Sequence, residues 1–438
     1  MDYQEAISTA QADPQSLENI YRQSVNQGEE AAFKSALFAR YQEMPENLLF
    51  AAWYYRLQEI SAEPPARINR GRIWIAAVPL AILSGLLIGV LTAQTEVFLN
   101  HIPYFVLFWS PIAATVAIVF LAIIAKGNYR RAILTIGLLV IAAIYVLFIP
   151  QTMPLWSARP YLDQMAIHLP LLAWIALGLT LLGLRSLIPD RFAFLIKSIE
   201  VAITAGLYLI AGVAFGAITL GLLQTLSIAL PQSWINFLAG AGFGLIPILA
   251  IASVYDPRYE PDEQDFSQGL SKFIGNMMRL LLPLTLVVLV IYLILIPFNF
   301  SQPYTNRDVL IVYNIMLFAV MALLLGATPI RSEDLTPRIK EALRLGILAV
   351  SGLAILVSLY AFSAILYRTF NNTLTMNRLI VIGWNLINTT ILGFLFYKVG
   401  RGKAEAWVPG AQTVFGRSML AYVVWDLFVI FAIPLIYR

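Results

Sequence analysis

The sequence predicts an all-α fold: a polytopic transmembrane helical bundle of about eleven spans, N-terminus in and C-terminus out, with a small helical head in the cytosol. Three observations carry that expectation. Of 438 residues, 59% are hydrophobic and only 12% charged, about half the charged share of an ordinary soluble domain. Eleven segments meet or approach the roughly 20 apolar residues that a helix needs to cross a bilayer. Finally, the 29 Lys and Arg residues alternate in step with those segments.

The head, residues 1–66, holds 10 Asp/Glu against 4 Lys/Arg, a net charge of −6. It contains no apolar stretch of signal-peptide type. Asp13-Pro14 is a helix start, an N-cap acid followed by proline in the first turn. Gln27-Gly28 breaks that helix, and Glu29 to Glu43 forms a second with Phe33, Ala36, Leu37 and Tyr41 on one face. After the Pro45-Glu46-Asn47 turn, a third helix from Leu48 to Glu59 presents Leu49, Ala52, Trp53 and Leu57. Pro64-Pro65 ends it before the basic collar Arg67-Ile68-Asn69-Arg70-Gly71-Arg72. The turn and the aromatic run after it resemble a single tetratricopeptide-like helical hairpin, although one such unit cannot bury a repeat core. The head reads either as a cap on the membrane body or as a docking module for a soluble protein partner.

The membrane domain, residues 67–438, holds 25 bases and 15 acids. Its expected spans are Ile73–Ala93, Pro103–Ala125, Ala132–Ile149, Ala166–Ile188, Ile199–Leu223, Trp234–Val254, Leu280–Phe298, Val309–Thr328, Leu345–Leu366, Leu379–Tyr397 and Met419–Ile436. The stretch from Ser198 to Val254 is too long for one crossing, and Pro231-Gln232-Ser233 divides it. With the N-terminus inside, 24 of the 29 Lys and Arg fall in the cytosol, and only Arg159, Arg307, Arg368, Arg378 and Arg438 fall outside. That asymmetry follows the positive-inside rule. The segment Ser332-Glu333-Asp334-Leu335-Thr336-Pro337 with Arg338 to Arg344 reads as a short surface helix along the inner leaflet.

The composition also excludes chemistry. There is no cysteine, so disulfides, thiol catalysis and cysteine-ligated metals are ruled out. Only two histidines are present, His101 and His168, and His168 reads as an interfacial hydrogen-bonding residue. The external loops are short and carry little for catalysis: Glu96 in the first, and Trp156, Arg159 and Asp163 in the largest. The charge cluster Asp256-Pro257-Arg258-Tyr259-Glu260-Pro261-Asp262-Glu263-Gln264-Asp265 lacks EF-hand spacing and reads as a solvated loop. Neither enzyme activity, a cofactor, a metal nor a nucleic-acid partner is expected; membrane lipids are.

What remains informative is the polar residues inside the spans. Asp426 lies seven residues from Met419 and ten from Ile436, too deep for so short a side chain to reach water. Tyr422, one turn earlier, shares its face and is placed to hydrogen-bond to it. Asp426 reads as a proton or cation relay, or as a structural hydrogen-bonding group. Glu200 is the other acid in a span, at an end where it can reach water. Asn385, Asn388 and Thr389 share one face of the tenth span, and Asn314 stands in the eighth. These amides either tie helices together or converge with Asp426 on a hydrated cavity. Gly240, Gly242 and Gly244, just before Pro247, mark either a broken helix of the kind that lines transporter sites or a close-packing seam. Gly212-x-x-x-Gly216 is a packing motif.

The stretch Asn372-Thr373-Leu374-Thr375-Met376-Asn377-Arg378, leading into Trp384-Asn385 and Asn388, resembles a segment of a bacterial family of polytopic membrane proteins of unknown function. The resemblance implies a bacterial cytoplasmic-membrane protein and carries no activity with it. Two functions follow from the residues. One is a transporter or channel for a small solute or ion, using Asp426, Tyr422, Asn385, Asn388, Thr389, Asn314 and the Gly240–Gly244 segment. The other is a non-transporting scaffold whose head recruits a partner.

Overall fold

A computed structural model describes residues 3–26, 29–61, 70–125, 129–267, 269–331, 335–402 and 406–438. The protein is 85% helical and divides into two compact units, Met1–Arg72 and Ile73–Arg438. Gln27-Gly28, Pro64-Pro65, the first half of the basic collar (67–69), Lys126, Ser332-Glu333-Asp334 and Lys403 lie outside the described residues.

The first unit contains α1 (Tyr3–Thr9), α2 (Pro14–Asn26), α3 (Glu30–Glu43) and α4 (Leu48–Ser61). Asp13 caps α2: Oδ1 accepts from the backbone N–H groups of Gln15 and Ser16, and Oδ2 accepts from the Ser16 hydroxyl. Those bonds, the hydroxyl foremost, hold its carboxyl below the ordinary value. Asn47 caps α4 in the same manner through Leu49 and Phe50, and its amide reaches back to the Gln11 carbonyl. The core joins Tyr3 and Ile7 of α1 to Leu17, Phe33, Leu37, Phe50, Trp53 and Leu57. Two sequence expectations change here. The first helix was not foreseen, because two apolar residues are too few to show a period. The buried face of α4 is Phe50, Trp53 and Leu57, whereas Ala52 is exposed.

The second unit is a bundle with, among the described residues, eleven helices long and apolar enough to cross a membrane. This is an integral, multi-pass membrane protein. The helices are α5 (Arg70–Ala93), α6 (Tyr104–Ala125), α7 (Tyr129–Phe148), α8 (Leu155–Leu182), α9 (Ile188–Thr225) and α10 (Gln232–Val254). After them come α11 (Gly269–Leu295), the short α12 (Gln302–Thr305), α13 (Arg307–Ala327), α14 (Pro337–Phe370), α15 (Met376–Arg401) and α16 (Trp407–Leu427). A π-helical stretch, Phe428–Ala432, leads into α17 (Ile433–Ile436). A minimal hairpin pairs Val97–Phe98 with Ile102–Pro103 before α6.

Several helices begin well before their apolar windows. α8 starts at Leu155 and α9 at Ile188, each eleven residues ahead of the expected span. The residues from Pro337 to Arg344 form the first turns of α14, which removes the expected surface helix. In α8 and α9 protein neighbours bury part of the added turns, which a hydropathy window cannot register, whereas the first turns of α14 stay largely exposed. α15 is packed between α14 and α16 and also meets α8 and α13, which makes it the axis on which the polar residues are mounted.

The glycines separate into two kinds. α10 is unbroken through Gly240–Gly244. A Cβ on Gly240 would fall 1.9 Å from Thr92 Oγ1, and one on Gly244 2.9 Å from the Gly85 backbone. The α5–α10 seam therefore requires glycine at those two positions, while Gly242 faces open space. Gly212 and Gly216 also meet nothing within 4 Å, so the expected packing motif on α9 has no partner helix.

Candidate functional site

Three cavities lie in series along one face of α13. Leu310, Ile311 and Asn314 line the first, Phe318, Met321, Ala322 and Leu325 the second, and Gly326 with the following Thr328, Ile330 and Arg331 the third. Those positions recur every three or four residues, so a single helical stripe runs from one end of the bundle to the other. The end that receives the start of α8, α13 and α15 is called outer below, following the charge asymmetry.

The outer cavity has a volume of about 990 Å³. Gln164, Asn314, Arg368, Asn377 and Arg378 supply its polar wall. Gln164 Nε2 donates to Asn377 Oδ1 at 3.1 Å, and Arg378 Nη1 donates to the Thr373 carbonyl at 2.7 Å. Asn314 forms part of the floor: its Oδ1 accepts from Asn385 Nδ2 at 2.6 Å, and its own amide donates to the Leu310 carbonyl.

Below that floor lies an aromatic layer. The indole of Trp384 packs edge-on against Phe318 and tilted against Tyr422, each at 5.6 Å between centroids. Its Nε1 donates to His168 Nε2 at 3.2 Å, while His168 Nδ1 donates to the Gln164 carbonyl at 2.8 Å. Those two roles fit the neutral Nδ1–H tautomer. His168 is thus buried at 1% exposure, deeper than the interfacial position expected of it, and fixes a ring that lines the middle cavity.

The middle cavity, about 370 Å³, is walled by Trp174, Phe318, Trp384, Phe415 and other apolar groups, with Ser198, Ser418, Tyr422 and Asp426 as its polar members. Asp426 is fully buried, and neither carboxylate oxygen has a hydrogen-bond partner among the described residues. The sequence placed Tyr422 on Asp426; instead its hydroxyl donates to Asn388 Oδ1. Asp426 sits in the turn just before the π-helical stretch, a local widening that recurs at functional sites. A carboxylate so placed, without a counter-charge, is a costly group to keep in a fold.

The inner cavity, about 330 Å³, is polar, and Glu200 of a buried charge pair belongs to its wall. Lys197 Nζ donates to Glu200 Oε2 at 2.8 Å, to the Asp265 carbonyl at 2.9 Å and to Ser271 Oγ at 2.9 Å. Ser271 in turn donates to Glu200 Oε2 at 2.7 Å. The side chains are 4% and 2% exposed, so Glu200 does not reach water as its position suggested. The loop from Asp256 to Asp265 is folded onto itself: Gln264 is buried and bonds the backbone of Asp256 and Tyr259. Among the described residues no group of three or more His, Asp or Glu could hold a metal.

The sequence-derived residues are thus distributed. Asn314 and Asn385 meet at the outer floor; Asn388, Tyr422 and Asp426 belong to the middle level; Thr389 bonds Ser358 at 2.6 Å and ties α15 to α14. The three glycines line none of these cavities. Arg368, Arg378, Trp384 with His168, and Lys197 were missed as site residues. The sequence signal for the two arginines was present, since they are exceptions to the charge asymmetry. No family model matches the chain, and neither a curated protein nor a solved structure matches it.

Proposed function

We propose that the protein is a transporter for a small solute or ion, and that its path follows the α13 face through the three cavities. The observation that supports the reading is their serial placement, with a buried, unpartnered Asp426 at the middle level. Trp384 forms the outer partition. Ile199, which lines both the middle and inner cavities, stands at the lower one. The placement in a bacterial cytoplasmic membrane, N-terminus inside, rests on the charge asymmetry and on the resemblance around residues 372–388.

The absence of native cysteine makes a substrate-independent test clean. Single variants Thr375→Cys, Ala322→Cys and Ile330→Cys report on the outer, middle and inner levels. With a membrane-impermeant thiol reagent, Thr375→Cys should react from outside only and Ile330→Cys from inside only. Ala322→Cys should gain reactivity from outside when combined with Trp384→Ala. Failure of Ala322→Cys to react from either side in either background would sink the path. In proteoliposomes, Asp426→Asn should abolish pH-dependent flux while leaving expression and thermal stability near wild type.

The alternative is a scaffold whose head holds a soluble partner. The separate, closed core of the first unit favours a self-standing module. Capture of one defined protein by residues 1–72, with no accessibility of Ala322→Cys, would decide for it.

A further inference from the structure

The outer cavity carries two guanidinium groups and, among the described residues, no carboxylate. Arg368 and Arg378 are two of only five cations that the charge asymmetry leaves outside, and both line this one space. Arg368 Nη1 is buried and has no hydrogen-bond partner among the described residues. Arg378 uses one N–H on the Thr373 carbonyl and keeps the rest. The Gln164–Asn377 bond occupies Asn377 Oδ1 and leaves the Asn377 amide N–H groups as further donors. The wall is therefore rich in donors, two of them charged, with no carboxylate among the described residues to match them. A buried donor without an acceptor is unfavourable, and an oxyanion relieves it; guanidinium is the side chain best suited to phosphate oxygens.

The remaining wall is apolar and opens sideways. α8 and α13 do not pack substantially on each other, and the cavity occupies the gap between them. Ile167 of α8 and Ile311 of α13 stand on its two lips, 59% and 47% exposed. Trp156, 70% exposed at the outer rim, is the residue type that settles at the head-group level. A volume of about 990 Å³ exceeds what a free inorganic anion fills.

We propose that the outer cavity binds a phosphate-bearing amphiphile. Its head group lies between Arg368 and Arg378, and its hydrocarbon tail leaves through the α8–α13 gap into the lipid. This goes beyond the transport reading, because such binding is expected whether or not anything passes Trp384.

The test measures binding to the purified full-length protein in a neutral detergent by calorimetry. Three probes separate the sources of the chemistry: dioctanoyl phosphatidic acid, dioctanoyl glycerol with the same tails but no phosphate, and inorganic phosphate with no tail. Phosphatidic acid should bind saturably, and each of the other two at least about tenfold more weakly. Arg368→Gln and Arg378→Gln should each lower the affinity for phosphatidic acid about tenfold or more, with Arg368→Lys intermediate. Asp426→Asn should leave it unchanged, which keeps failure of this site distinct from failure of the path. Melting temperatures of the arginine variants establish that they fold; if one does not, the comparison of the three probes on the wild-type chain still decides. Equal binding of the diglyceride, or unaltered affinity in folded arginine variants, overturns the proposal. Inorganic phosphate binding as tightly as the lipid overturns the amphiphile and leaves an anion site.

Discussion

The inner and outer ends of the α13 face both hold a cation with a buried nitrogen, yet they treat it differently. At the inner end Lys197 has a carboxylate, a carbonyl and a hydroxyl within 2.9 Å. At the outer end Arg368 has a buried nitrogen with no partner among the described residues. Removing a charge from water is costly at either place. Where the protein supplies every partner, the group is part of the scaffold; where it does not, the partner must come from elsewhere. Hydrogen-bond satisfaction separates structural from ligand-seeking charges better than burial does.

The hardest way to break this comparison is to orphan one member of the inner pair. Lys197→Met or Glu200→Gln should destabilise the protein by about 3–5 kcal/mol, read as a large loss of melting temperature and yield in detergent. The double variant Lys197→Met/Glu200→Leu should recover part of that loss. Arg368→Gln, by the same measurement, should change stability by less than about 0.5 kcal/mol; a large drop would make Arg368 structural and erase the distinction.

A smaller effect is expected where the outer floor is tied. Asn385→Ala removes the bond to Asn314 and should cost roughly 0.6–2 kcal/mol, with Thr375→Cys becoming more reactive as the floor loosens. Tyr422→Phe deletes only the hydroxyl on Asn388. It should cost about 1 kcal/mol in thermal unfolding without changing Asp426-dependent flux, because that hydroxyl is not bonded to Asp426.

The smallest effect sharpens the rule in the head. Asp13 is satisfied by Ser16 and two backbone N–H groups, and its carboxyl is held below the ordinary value. A depressed carboxyl contributes stability above its unfolded value and loses it as pH falls through the folded value. Helix content of residues 1–72 followed by circular dichroism should therefore decline slightly on acidification below the ordinary carboxyl range. Asp13→Asn, which still caps, should lack that component.

The span count and order were legible in the sequence because hydropathy and charge placement are local properties that lipid reads directly. Helix ends were not, since α8, α9 and α14 extend through polar turns outside the apolar windows, in α8 and α9 partly buried by the protein itself. The same limit applied to the site. Periodicity put Asn385, Asn388 and Thr389 on one face, yet they take three partners on three different helices, because a shared face spans an arc wide enough to meet several neighbours. Gly240 and Gly212 looked alike in sequence; only the presence of α5 beside one and nothing beside the other sets them apart. Asp426 stood out because mid-span acids are expensive, whereas Trp384 and His168 looked like ordinary residues until their hydrogen bond was seen at the wall of the middle cavity.

Helix α9 has 38 residues, about 57 Å along its axis, and no residue from Ala205 to Thr225 is buried. A rod of that length, bare along its outer half, exceeds a roughly 30 Å hydrocarbon layer, so its charged first turns stand at or beyond the inner boundary. Its inner half carries Ser198 and Ala202, which form the wall between the Asp426 cavity and an apolar cavity of about 430 Å³ on the other side. Because Ser198 and Ala202 belong to the same rod as that bare outer half, any change in the tilt of α9 would displace a wall of the Asp426 chamber.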